Sequence, residues 1–172
     1  IWLRQPGSPV GLGRLRQVEH EALLTLLAAQ AGIPTDSVVT AGATATDDAL
    51  LVLRRTGTPL VPPDRFRDVD VAPEPVFTNG DARPRLRELW QLLTTLHDNG
   101  LVHGVLDEEH LIVDDGRLGL VQFRAAAVAP TPAQLRSDDA QLFVTSIGLV
   151  GPELALVPHY SARAGALALL CG

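Results

Sequence analysis

The segment that most restricts the fold runs from residue 84 to residue 123, PRLRELWQLLTTLHDNGLVHGVLDEEHLIVDDGRLGLVQF. Leu86, Leu89, Trp90, Leu93 and Leu96 recur on one face at helical spacing, Pro84 stands near the start and Asn99-Gly100 at the end, so its first half predicts an amphipathic helix. Trp90 lies on that apolar face and reads as core rather than as a stacking platform. HLIVD and RLGLVQF then flank Asp115-Gly116, a tight-turn pair whose glycine takes positive φ without steric cost, so the second half predicts a β-hairpin. A short polar loop is all that separates helix from hairpin. Such a chain mixes helix and strand.

The remaining segments follow the same logic. Residues 1 to 13 carry Pro6, Pro9, Gly7, Gly11 and Gly13 and read as a loop; GSPVGLG has no preceding strand and is turn chemistry rather than a phosphate loop. From Arg14, the positions Leu15, Val18, Ala22, Leu26 and Ala29 predict an amphipathic helix that Gly32 and Pro34 stop. SVVTAG and ALLVLR, joined by a polar turn, predict a first hairpin. Pro59, Pro62, Pro63, Pro73 and Pro75 mark a hinge without regular structure. Three units are therefore expected: 1–58, the linker 59–80, and 81–172. AAAVAPTPAQL reads as a loop; Asp139, Ala140, Phe143, Val144 and Ile147 predict a helix that Gly151-Pro152 breaks, and a last helix is expected from about Ser161.

Composition removes several function classes. Hydrophobic residues make up 46% of 172, enough for a real core. The longest apolar runs, Leu23 to Ala29 and Ala164 to Cys171, fall far short of the roughly 20 residues of a membrane span. No leader pattern is visible and the first residue is not methionine, so a fragment of a longer protein is expected. A single cysteine, Cys171, leaves no internal disulfide or multi-thiolate zinc site, fits a reducing compartment and reads as a small buried hydrophobe. The net charge is −6 and all 14 basic residues are arginine, with no basic run longer than Arg54-Arg55, so nucleic acid is not an expected partner. Lysine is absent, so neither a P-loop lysine nor a phosphate-holding lysine of kinase type lies within these residues.

The cluster Asp107, Glu108, Glu109, His110, Asp114 and Asp115 invites a metal reading, but HGVLDEEH lacks the spacing of a helical HExxH, and a solvated acidic loop accounts for it. Ser146 and Ser161 have no histidine and acid at the spacing of a hydrolase triad.

Residues 101 to 123 resemble the catalytic loop and metal-binding hairpin of kinase-like phosphotransferases, including those of aminoglycoside-phosphotransferase type. The family pattern is His-Gly-Asp, four residues, Asn, a short hairpin and Asp-Phe. His103 and Gly104 open that motif and Phe123 closes it, while the catalytic aspartate falls on Val105, the metal-binding asparagine on His110 and the hairpin aspartate on Gln122. The VEHEALLTLLAAQAGI helix resembles the regulatory helix, with Glu21 where a lysine from an upstream third strand would pair; as an alternative, Glu21 is an exposed helix charge. LLVLRRTGTPL is similar to the fifth strand and hinge, and Asp139 stands where a helix aspartate would brace the catalytic loop.

This resemblance implies an α+β, two-lobed protein-kinase-like fold with an incomplete N-lobe and a mainly helical C-lobe. His103 would be structural, bonding backbone near the loop. Valine offers no lone pair, and neither a neutral amide nor an imidazole suits magnesium, which prefers charged oxygens. The expectation is a pseudokinase with no intact catalytic residue, no metal and no required cofactor, with ATP bound without catalysis as an alternative. A second alternative is an enzyme with displaced acids, Asp107 as base and Asp114 or Asp115 for metal. The phrases EHEALLTLLAAQAGI, TTLHDNGLVHG and VGPE resemble the cytosolic kinase-like domain of actinobacterial membrane proteins that carry a lysylphosphatidylglycerol synthetase- or flippase-like transmembrane region. That implies a cytoplasmic location at the inner face of the plasma membrane, and as partner another protein or the transmembrane part of the same chain.

Overall fold

The computed structural model describes residues 13–46, 48–61, 76–77 and 80–156. Helix α1, Arg14–Gln30, contains no glycine or proline and ends where Gly32 takes φ +83°. It buries Ala22, Leu24, Thr25 and Ala28, whereas Leu15 and Leu26 of the expected stripe are exposed, as is Leu23. ALLTLLAA is apolar on every side, so contact with the neighbouring strands, not periodicity, selects the buried face.

Strands β1 (Ser37–Ala43) and β2 (Ala49–Arg54) form the expected antiparallel hairpin and pack on α1, with a register slip between Val38 and Thr40. The expected hinge begins with a strand instead: β3, Thr58–Pro59, bonds the edge of β5 through the pairs Thr58–Val113 and Pro59–Ile112. A proline is tolerated there because an edge strand leaves one side of its backbone unpaired. The other prolines of that segment lie outside the described residues.

Helix α2, Ala82–Asp98, buries Leu86, Leu89, Trp90, Leu93 and Leu96 as its pattern predicts, and Asn99 with Gly100 (φ +71°) ends it. Each fully buried leucine contributes about 2 kcal/mol. Strand β4, Leu101–Val102, follows at once. Strands β5 (Leu111–Asp114) and β6 (Arg117–Leu120) make the second hairpin, with Asp115 (φ +47°) and Gly116 (φ +77°) both left-handed as a two-residue turn demands. Glu88 accepts from the Leu118 N–H at 2.7 Å and Arg85 donates to the Gly116 carbonyl at 2.6 Å, fixing α2 to this hairpin. Gly119 carries no side chain because the Pro34 backbone presses on it, and the Leu120 N–H bonds the Pro34 carbonyl at 2.9 Å. The α1–β1 connection is thereby fastened to the hairpin.

AAAVAPTPAQL is not a loop throughout. Ala127–Val128 is strand β7, antiparallel to β4, and α3 (Pro132–Val150) starts behind a capping box of Thr131 and Gln134. Gly151 (φ +81°) and Pro152 end α3, and the four-residue α4, Pro152–Ala155, follows. The helix expected from Ser161, and Cys171, lie outside the described residues. Leucines of α1, α2, α3 and the second hairpin share one core. Among the described residues no helix is long and apolar enough to cross a membrane.

Candidate functional site

The loop 103–110 leaves β4 and enters β5, so its backbone N–H and C=O groups have no ladder partners and must find others. One face of α3 supplies them. The Asp138 carboxylate, fully buried, accepts from the His103 N–H at 2.7 Å and from the Gly104 N–H at 2.9 Å. Gln141 accepts from the Leu106 N–H at 2.6 Å and donates to the Gly104 carbonyl at 3.2 Å, and the Thr145 hydroxyl donates to the Leu106 carbonyl at 2.8 Å. Gly148 completes the face, since a Cβ there would strike the Glu108 carboxylate. Residues 138, 141, 145 and 148 recur at three- and four-residue steps, as one helical face requires.

The brace expected of Asp139 is therefore made by Asp138. The pattern Asp139, Ala140, Phe143, Val144 and Ile147 also places the buried face one residue out of phase: α3 buries Asp138, Leu142, Thr145, Ser146 and Leu149, while Val144 is 66% exposed. The buried histidine His97, at the end of α2, turns Nε2 toward the same Asp138 carboxylate at 3.4 Å.

His103 sits in the interior beneath the loop. Its Nε2–H donates to the Val121 carbonyl at 3.0 Å, its ring packs on Phe123 at 4.9 Å between centroids, and the His110 ring meets it edge-on at 5.3 Å. Burial first, and then the neighbouring His110, push its pKa down to about 4, so the ring is neutral near pH 7. Gly104 (φ +87°) faces Ala125 so closely that a Cβ would run into that carbonyl. The loop and the turn after the hairpin are thus pressed together where only glycine fits.

Val105, Asp107 and Gln122 are exposed around this base. Val105 is 36% exposed. The Asp107 carboxylate caps the 3-10 turn Glu108–His110, accepting from the Glu109 N–H at 2.9 Å and meeting His110 Nδ1 at 2.5 Å. Gln122 is exposed at φ +65°, a left-handed conformation that costs a non-glycine residue about 1 kcal/mol. A backbone bond from the Val121 N–H to the His110 carbonyl, 3.0 Å, sets residues 110 and 122 side by side. Asp114 and Asp115 lie at the opposite end of the hairpin, Asp114 about 13 Å along the strand from His110 at 3.3 Å per residue.

Across the loop, α1 packs on the single 3-10 turn Phe123–Ala125, and His20 Nε2 reaches the Ala126 carbonyl at 3.1 Å. Glu21 is half-buried on that side; burial raises its carboxyl pKa, and the positive charge of Arg124 acts in the opposite direction. The expected site residues His103, Gly104, Val105, His110, Gln122 and Phe123 thus converge. Sequence reasoning missed Asp138, Gln141 and Thr145, and no periodic signal marks Arg124. Among the described residues, no three histidine, cysteine or acidic side chains gather as a metal site. With Asp107 tied to the 3-10 turn and a neutral amide at 122, the centre offers backbone scaffolding and hydrogen bonding rather than clustered carboxylates.

No family model matches the chain, and no curated protein matches it either. Solved structures do. The chain is similar to the bifunctional kinase-methyltransferase WbdD, with 20% identity over 80% of this chain and a TM-score of 0.54. It is also similar to vaccinia related kinase 3, with 17% identity over 91% of this chain and a TM-score of 0.51. It spans 30% of the first and 58% of the second. The fold is α+β and kinase-like.

Proposed function

We propose that this chain is a kinase-like domain without phosphotransfer chemistry, a pseudokinase that acts through contact with a protein partner or with the transmembrane part of its own polypeptide. The observation that carries the reading is a contrast at one place. Asp138, Gln141 and Thr145 still hold the loop's backbone, while valine, histidine and glutamine stand where the resemblance puts the base and the two metal ligands. Phosphoryl transfer consists almost entirely of positioning and charge stabilisation, and each lost stabilising group costs about 3 kcal/mol, roughly a hundredfold in rate.

The displaced-acid alternative draws little support from the geometry. Asp107 is engaged by the Glu109 N–H and by His110, and Asp114 and Asp115 sit at the turn end of the hairpin, away from the loop. The resemblance of EHEALLTLLAAQAGI, TTLHDNGLVHG and VGPE to segments of actinobacterial membrane proteins is what favours a cytoplasmic setting at the inner face of the plasma membrane, as one part of a larger protein.

Calorimetric titration of the native full-length protein with ATP, with and without magnesium or manganese, tests the reading. The expected result is no metal-dependent heat and no turnover. Metal-dependent binding accompanied by phosphorylated product would overturn it. Metal-independent binding alone would retain the inactive domain and make ATP a conformational ligand, able to shift two states only by its differential affinity for them.

A further inference from the structure

We propose that Arg124 is a built-in counter-cation for Glu21, and that the two form a latch closing α1 onto the turn that follows the second hairpin. The placement is already made by neighbours on both sides. His20, adjacent to Glu21, bonds the Ala126 carbonyl at 3.1 Å, and α1 packs directly on Phe123–Ala125. Phe123, adjacent to Arg124, is buried against the His103 ring. These contacts pin the backbone of both partners and leave only the two side-chain ends to move.

The chemistry calls for such a partner. A half-buried carboxylate is costly to keep charged unless a cation or hydrogen bonds compensate it. Among the described residues Glu21 accepts a hydrogen bond at its backbone carbonyl, from the Thr25 hydroxyl at 2.8 Å, and none at its carboxylate, and the nearby positive charge that acts on the carboxylate belongs to Arg124. The chain contains no lysine, so a cation that stays charged for this carboxylate at every ordinary pH is an arginine or comes from outside these residues. Arg124 is exposed and its long side chain has the rotamer freedom to swing onto the carboxylate. Closed, the latch couples helix position to the 122–126 segment from within the chain. A cationic group from elsewhere that captures Glu21 would free Arg124 and loosen that segment.

Hydrogen exchange on the full-length protein, read over the α1 amides of residues 22–28 and over 123–126, tests the latch in a mutant cycle. Glu21→Gln and Arg124→Gln should each speed exchange in both segments by roughly 3- to 10-fold, and the double variant should exceed the larger single by less than about 2-fold, the signature of one shared interaction. Arg124→Lys, which keeps the charge, should stay near the parent. Single effects that multiply in the double variant, or an Arg124→Gln protein with unchanged α1 exchange, would overturn the proposal. Replacements by glutamine keep size and polarity, and the Arg124 variants change an exposed position, so a folded sample is available for at least one arm of the cycle. If Glu21→Gln fails to fold, Arg124→Gln against Arg124→Lys decides alone: loosening of α1 only in the glutamine variant supports the latch, and equal behaviour refutes it.

Discussion

Removing the Asp138 carboxylate should be among the most damaging single changes available to this chain. In Asp138→Ala the N–H groups of His103 and Gly104 lose acceptors at 2.7 and 2.9 Å, the first of them fully buried and the second partly so. A buried donor left without a partner costs about 1–3 kcal/mol, and bonds to a charged acceptor lie at the upper end. The His97 ring loses its neighbour as well. Burial of Asp138 is itself unfavourable, so its removal returns part of the loss, and a net destabilisation of about 3–5 kcal/mol is expected, the range for breaking a buried charged interaction. Asp138→Asn keeps one acceptor and turns an NH2 group toward the other N–H, for about 2–3 kcal/mol. Asp139→Ala, one residue along, should stay within about 1 kcal/mol.

Urea unfolding reads the difference. With a slope of about 2 kcal/mol per molar, Asp138→Ala should move the midpoint down by roughly 2 M while Asp139→Ala moves it by less than about 0.5 M. Equal shifts for the two alanine variants, or a loss below about 1 kcal/mol for Asp138→Ala, would refute the claim that one face of α3 holds the loop.

Two further outcomes follow from the same base. His103 has a folded pKa of about 4 against an ordinary 6.5, so the unfolded chain binds the proton more readily; its contribution is complete above pH 6.5 and is lost as pH falls toward 4, about 3 kcal/mol in all. The midpoint of urea unfolding should therefore fall with acid more steeply in the parent than in His103→Phe, and parallel curves would dismiss the buried neutral ring. Gly104→Ala should cost more than about 2 kcal/mol, because left-handed backbone and collision with the Ala125 carbonyl combine, whereas Gly100→Ala, left-handed in open space, should cost about 1 kcal/mol; thermal unfolding that ranks them the other way would contradict the pressed contact.

How far the sequence could be read depended on what each element packs against. Helix α2 is wet on one side and apolar on the other, so Leu86, Leu89, Leu93 and Leu96 announce its face, and the Asp115-Gly116 turn announces its hairpin by local chemistry alone. Helix α1 is apolar all round between Ala22 and Ala29, and no period could choose its buried side. Strand β7 is two residues long and exists only because β4 lies beside it, so no local pattern encodes it. Helix α3 misleads for the opposite reason. Its partner is a loop rich in unpaired backbone groups, so the face that is buried carries Asp138, Gln141 and Thr145, and a search for apolar residues selects the neighbouring stripe.

That last misreading bears on what the chain has kept. Two backbone N–H groups, a further N–H and two carbonyls of the loop are each answered by a named side chain of α3, and Gly104 leaves room where a Cβ would collide with the Ala125 carbonyl. Gln122 meanwhile stays in a left-handed conformation that a glycine would adopt at less cost, held by the burial of Phe123 on one side and the His103 bond to Val121 on the other. Rigid placement of the loop and of the segment after the hairpin is what a surface for recognition requires, since a partner gains most from groups that need no further ordering on contact. The loop backbone is held in place while valine, histidine and glutamine stand at 105, 110 and 122, and the proposed reading as a binding domain rests on that contrast.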